Sequence, residues 1–174
     1  MRYPALEQRL NIGIRLERPE DKGAIFDLTK RAFAPMPFAD GDEQEMIDRL
    51  RDAGALSLSA VATLDGAIVG HVALSPATHE SGESGWYTLG PISAEPALQR
   101  KGIGRSLIAF ARAWLEAQGA SGCILTGNPA YYERFGFAGA PDNAPAGVPP
   151  QYFMVLKLKD RCPAGRFCFH PVFG

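Results

Sequence analysis

The sequence predicts an α/β (α+β) layer fold built on a mixed sheet, and three observations carry that prediction. Apolar residues alternate at period two over 56–64 and 68–74, on either side of an Asp65-Gly66 turn. They recur at helical spacing over 103–114, directly after a glycine-rich loop. Single helices and single strands then take turns to the end, so the order reads strand, helix, helix, meander, helix, strand, helix, strand. A chain of 174 residues, 46% of them hydrophobic, suits one domain with a substantial core.

Residues 1–11 read as a loose leader, 12–158 as the domain and 159–174 as an aromatic tail. Ile12 to Leu16 alternates and makes a first strand. Pro19, Glu20 and Asp21 mark a helix start, because proline fits the first turn and acids complement the positive helix end. Ile25, Leu28, Ala32 and Phe33 form that helix's apolar stripe, and Pro35 and Pro37 break it. Asp42 with Glu45 predicts a capping box for a second helix through Met46, Ile47 and Leu50, ending near Gly54. In the meander, Ile68, Gly70, Val72 and Leu74 share one face, and Val69, His71 and Ala73 the other. After a polar loop over 79–85 comes a strand over 86–93. Its Pro91 cannot donate to a ladder and predicts a kink or bulge. The helix after the glycine loop carries Ile103, Leu107, Phe110, Ala111 and Trp114 and stops at Gly119. Cys123 to Thr126 is a short strand, Pro129 opens a short helix closed by Gly136, 138–150 is a loop, and 152–158 is the last strand. Phe167, Phe169 and Phe173 punctuate the tail.

A formal net charge of −1 and a pI near 6.3 exclude a surface built for nucleic acid. No segment approaches the ~20 apolar residues of a membrane span, and no apolar run of a signal peptide follows Met1. Cys123, Cys162 and Cys168 cannot all pair with one another, so a reducing cytoplasm is the expected compartment. Cys162, Cys168 and His170 match no zinc spacing, and no metal is expected.

The chemistry concentrates in Gln99-Arg100-Lys101-Gly102-Ile103-Gly104-Arg105-Ser106. Glycines let backbone N–H groups approach a ligand, and a helix start adds unpaired N–H groups with partial positive charge. Such a loop suits a phosphate, and a pyrophosphate in particular. It is not a dinucleotide fingerprint, whose third glycine would replace Leu107, nor a P-loop, whose Gly-Lys-Ser/Thr ending is absent.

Following Ser93-Ala94-Glu95-Pro96, the run from Gln99 to Gly104 resembles the acetyl-CoA loop of the GNAT superfamily of N-acetyltransferases. Tyr132-Glu133-Arg134-Phe135-Gly136-Phe137 resembles that family's Tyr-x-x-x-Gly-Phe signature. The stretch from Gly127 to Phe137 and the tail from Arg166 to Phe173 are similar to its YhbS-type branch. The resemblance covers about residues 12–158. It implies a mixed, mostly antiparallel central sheet, splayed between its fourth and fifth strands and flanked by about four helices. It implies acetyl-CoA as co-substrate, with the pantetheine arm along Ile92, Ser93 and Ala94. The pyrophosphate would lie on the N–H groups of Arg100, Lys101, Gly102, Ile103, Gly104 and Arg105. Gln99 would open the loop, Ser106 add a hydroxyl, and Asn128 lie beside the cofactor.

The reaction so implied is direct attack of a neutral amine on the thioester, with Tyr132 protonating the leaving thiolate. Tyr131 would be its structural neighbour, and exchanging the two is the alternative assignment. The strand over 86–93 holds no carboxylate, so His71, Glu83, Glu95 and water all stay open as the base. The expected function is acetyl transfer to a primary amine, on a small molecule rather than a protein. The alternative is a non-catalytic CoA-binding or regulatory module. No nucleic-acid or membrane partner is expected. The aromatic tail would pack on the domain or on a partner chain, which leaves a homodimer open.

Overall fold

In a computed structural model describing residues 10–174, period-two alternation commits residues 58–79 to the middle of the sheet. Most of the expected leader, residues 1–9, lies outside the described residues. β2 (Leu58–Leu64) and β3 (Ala67–His79) form an antiparallel hairpin. Its Asp65 and Gly66 both take positive φ, 50° and 81°, as a tight two-residue turn requires. β1 (Gly13–Leu16) flanks β2, and β4 (Trp86–Ala94) flanks β3. Beyond β4 come β5 (Gly122–Thr126), β7 (Phe153–Lys157) and the two-residue β6 (Ala138–Gly139), giving the order β1-β2-β3-β4-β5-β7-β6. Only the β4–β5 pair is parallel, so the sheet is mixed and mostly antiparallel.

Helices cover both faces. α3 (Ile103–Ala117) lies over Gly70, Val72, Leu74 and Leu89, burying Ile103, Leu107, Ile108, Ala111 and Leu115 against them. Gly70 is the close-approach point: a Cβ there would stand 2.6 Å from Ile103 Cγ2 and 3.0 Å from Leu107 Cδ1. α1 (Lys22–Phe33) and α2 (Glu43–Asp52) pack on the other face, with Ile25, Ile47 and Val61 as a smaller apolar cluster. The start of α1 is fixed by Asp21, which accepts from the Arg18 N–H at 2.7 Å and from both Arg15 nitrogens at 2.6 and 3.1 Å.

Three elements differ from the sequence expectation. The capping box at Asp42 and Glu45 does not form. Asp42 turns instead to Arg49 at 3.1 Å, and Glu43 reaches back to the N–H groups of Asp40 and Gly41 at 2.7 and 3.1 Å. The third strand runs on to His79 because β8 (Phe167–Cys168), remote in sequence, pairs with Thr78 and His79. The 138–150 loop contains β6 and a 3-10 turn over Pro141–Asn143. The Asn143 amide anchors that turn to the carbonyls of Pro163 and Gly165 at 2.9 and 2.7 Å. The tail thus folds onto its own sheet. Phe167 is fully buried among Trp86, Ile124, Phe153 and Val155, edge-on to Trp86 at 4.8 Å. Among the described residues, no helix is long and apolar enough to cross a membrane.

Candidate active site

The parallel pair makes a cleft by stopping early. β4 and β5 are in register only at Trp86–Gly122, Tyr87–Cys123 and Thr88–Ile124. Past Thr88, β4 stays paired with β3 through Ile92, Ser93 and Ala94, and β5 turns to β7 through Leu125 and Thr126. One edge of residues 89–94 is therefore open to an added strand or an extended ligand. The kink expected at Pro91 is a bulge: Leu89 and Ile92 oppose Leu74 and Val72, so Gly90 and Pro91 share the single partner position of Ala73.

The glycine loop closes the wide end of this cleft. A 3-10 turn over Pro96–Leu98 leads to Arg100 and Gly102, both in the left-handed region with φ of 65° and 88°. Those two dihedrals wind the chain into the first turn of α3. Among the described residues, no chain acceptor takes the N–H groups of Arg100, Lys101, Gly102, Ile103, Gly104 or Arg105. The helix ladder begins only at Ser106, whose N–H and hydroxyl both donate to the Gly102 carbonyl at 3.0 Å. The Ser106 hydroxyl is thus committed within the loop. Arg100, Lys101 and Arg105 are exposed, and none forms an ion pair among the described residues. Six free donors and three cations make a strong anion cradle. Gln99 stands exposed at its entrance.

α4 (Pro129–Tyr132) forms the far wall. Asn128 is its N-cap, with Oδ1 accepting from the Ala130 N–H at 3.0 Å, so this oxygen holds the helix start. The Tyr132 ring lies flat over Gly127, where any Cβ would collide with it, and meets Phe137 edge-on at 5.8 Å. Burial, then Tyr131 and Cys123, push the Tyr132 phenol above its usual range, so it keeps its proton at neutral and mildly alkaline pH. The Cys123 thiol is sealed in the core and pushed up to about 12, chiefly by burial, which leaves it inert.

The proposed bases separate clearly. Glu95 is held by the Arg31 guanidinium at 2.8 and 3.3 Å, which ties the end of β4 to α1. Glu83 pairs with Arg161 at the opposite end of β4, away from the cradle. His71 is fully buried on the α1/α2 face, with Nε2 2.8 Å from Ser59 Oγ and Nδ1 without a partner. Burial, then the Arg51 charge, push it down to about 3, so it is neutral at physiological pH.

Sequence reasoning missed one group of residues. Ser75 and Thr88 face each other across β3 and β4, as do Ala77 and Trp86. Ser75 Oγ, Thr88 Oγ1, Trp86 Nε1 and His79 Nε2 are all buried without a partner among the described residues, as is one oxygen of Glu45 on α2. Alternation places His71, Ser75, His79, Trp86 and Thr88 on one face. That face is turned away from α3, and Thr88 stands at the apex of the cleft. The signal was present in the period-two spacing of 71, 75 and 79.

The Acetyltransferase (GNAT) family model matches residues 23–137. The chain belongs to the GNAT family. As a GNAT protein it is an enzyme of the acyltransferase class. It is 32% identical to the uncharacterized N-acetyltransferase YhbS of Escherichia coli K12 over 125 residues, 71% of this chain and 72% of YhbS. The crystal structure of a GNAT acetyltransferase from Brucella melitensis in complex with acetyl-CoA is 41% identical, with a TM-score of 0.84 over 94% of this chain and 99% of that one. E. coli YhbS in complex with CoA is 30% identical, with a TM-score of 0.85 over 99% and 95%. The splayed sheet and four helices are those of the GNAT fold, in the form carried by YhbS.

Proposed function

We propose that this GNAT protein transfers an acetyl group from acetyl-CoA to a primary amine of a small molecule. The observation that carries the reading is the cradle, in which six unpaired N–H groups and three unpaired cations stand at the open edge of β4. A pyrophosphate on residues 100–105 sends an extended arm along Ile92, Ser93 and Ala94, where backbone groups take up its amides. The Ser93 hydroxyl points away beneath α1, 3.5 Å from Thr29 Oγ1, so this strand serves through its backbone. The complexes of the Brucella and E. coli relatives with acetyl-CoA and CoA support the donor assignment.

Acetyl-CoA supplies an activated acyl thioester. The amine nitrogen forms a bond to the acyl carbon as the carbon–sulfur bond breaks, and the sulfur leaves as thiolate. Tyr132, kept protonated by burial, gives its phenolic proton to that sulfur. The amine proton leaves to solvent, from which Tyr132 regains its own, since Glu95 and Glu83 are tied to arginines and His71 is sealed in the core. Backbone N–H groups near Ile92 to Ala94 polarise the carbonyl. A small acceptor is favoured because α2 meets the Pro171–Phe173 turn across the face opposite α3, roofing the acceptor side. The chain works in the cytoplasm on this reading, consistent with its three free thiols.

Thiol release from acetyl-CoA over a panel of primary amines tests the reading. Turnover with at least one amine is expected, and Tyr132→Phe should lower kcat by about 10²-fold. CoA binding without turnover across the panel would instead make the chain a CoA-binding or regulatory module.

A further inference from the structure

The two adjacent tyrosines do not share a surroundings. Tyr132 turns to Gly127 at the end of β5. Tyr131, with its ring at 86° to its neighbour's, turns to the glycine loop. A Cβ on Gly104 would collide with the Tyr131 phenolic oxygen, so that oxygen rests on the backbone of the first turn of α3. The ring is held from three sides. Tyr132 meets it at 5.0 Å, Phe135 at 5.2 Å, and the Arg134 guanidinium sits 5.2 Å above its centre. Packing therefore fixes where the hydroxyl sits, and the hydroxyl has no hydrogen-bond partner among the described residues. It lies beside the unpaired N–H groups of residues 103–105, within the fields of Arg134 and Arg105.

We propose that Tyr131 is a binding residue for the donor's pyrophosphate. Its Oη donates to the anion held on the N–H groups of residues 100–105, and Arg134, stacked on its ring, adds charge to the same place. The assignment rests on the acetyl-CoA reading above and gives the paired phenols separate tasks. Tyr131 holds the diphosphate end, and Tyr132 serves the sulfur end. It also explains Gly104: any side chain there would push the phenol off the helix turn. A charge-assisted bond from a preorganised phenol is the kind of contact that strengthens ground-state binding.

Calorimetry with CoA, and kinetics with acetyl-CoA and S-acetylpantetheine, test it. Tyr131→Phe keeps the ring and its packing. It should weaken CoA binding by ~10-fold and raise the KM for acetyl-CoA alike, the loss expected for one hydrogen bond to a charged group. The kcat at saturating acetyl-CoA should stay within about threefold, and kcat/KM for S-acetylpantetheine, which lacks the pyrophosphate, should not respond. Gly104→Ala should weaken CoA in the same direction. Unchanged CoA affinity in Tyr131→Phe overturns the proposal. So does a fall in kcat at constant KM, which would move the acid role to Tyr131. Failure of the wild-type protein to bind CoA at all would remove the donor reading itself, and the proposal with it.

Discussion

The β3–β4 ribbon has two faces of opposite character. Under α3 it shows Gly70, Val72, Leu74 and Leu89, apolar and closely packed, with every neighbour apolar as well. On the reverse it shows His71, Ser75, His79, Trp86 and Thr88, five buried side chains that each carry a polar atom unpartnered among the described residues. One face thus presents apolar side chains alone, and the other interleaves buried polar atoms with the cluster of Ala77, Trp86 and Phe167. The anion cradle is the N-terminal end of the helix bolted to the apolar face, so its geometry is set by core packing. The polar face carries a desolvation cost of about 1–3 kcal/mol for each orphaned group unless water or a ligand satisfies it.

The sharpest test of the contrast is acid. His71 binds a proton readily in the unfolded chain but, folded, only near pH 3. Between those values the unfolded state holds more protons, so stability rises with pH. Roughly 5 kcal/mol should be lost on acidification from pH 6.5 to 3, on the scale of 1.36 kcal/mol per unit. Urea titrations across that range should show the slope, and His71→Gln should flatten it. A wild-type protein without the slope would mean that the polar face is open to water.

Truncating the opposite face comes next. Leu107 is fully buried between α3 and β3, and Leu107→Ala should cost about 2–5 kcal/mol in denaturant unfolding. Because the same helix presents the cradle, CoA affinity should fall in parallel. Gly70→Ala, which drives a methyl into Ile103 and Leu107, should cost about 1–3 kcal/mol. If it costs nothing, α3 is less firmly seated than its contacts imply.

The smallest stability effect belongs to the polar face. Removing the orphaned hydroxyls by Ser75→Ala or Thr88→Val should lower stability by no more than about 1 kcal/mol, since no protein hydrogen bond is lost. The same variants should raise the KM for the amine. A large stability loss with unchanged KM would make these hydroxyls structural.

The geometry of the glycine loop and of the Pro91 bulge was legible in the sequence because its determinants are local. Gly102, Gly104, Pro91 and the cations of the loop act within a few residues of where they stand, and Tyr132 and Gly136 share one turn. The capping box at Asp42 failed for a local reason too: Glu43 was an equally good carboxylate for the free N–H groups, and Arg49 claimed Asp42. What could not be read was long-range. The extension of β3 depends on Phe167 and Cys168, nearly ninety positions away. The fate of Glu95 depends on Arg31, and that of Glu83 on Arg161. The face opposite α3 is assembled from α2, β3, β4 and the tail, so no single stretch of sequence describes it.

Phe167 packs in a cluster with Trp86, Ile124, Phe153 and Val155, which come from three strands of the sheet. A ribosome makes those strands before it reaches residue 167. During synthesis the nascent sheet therefore exposes an aromatic pit beside Trp86 that nothing yet made can plug. Closure of this core waits on Phe167, and a chain truncated ahead of it would carry the glycine loop on a scaffold with its core still open.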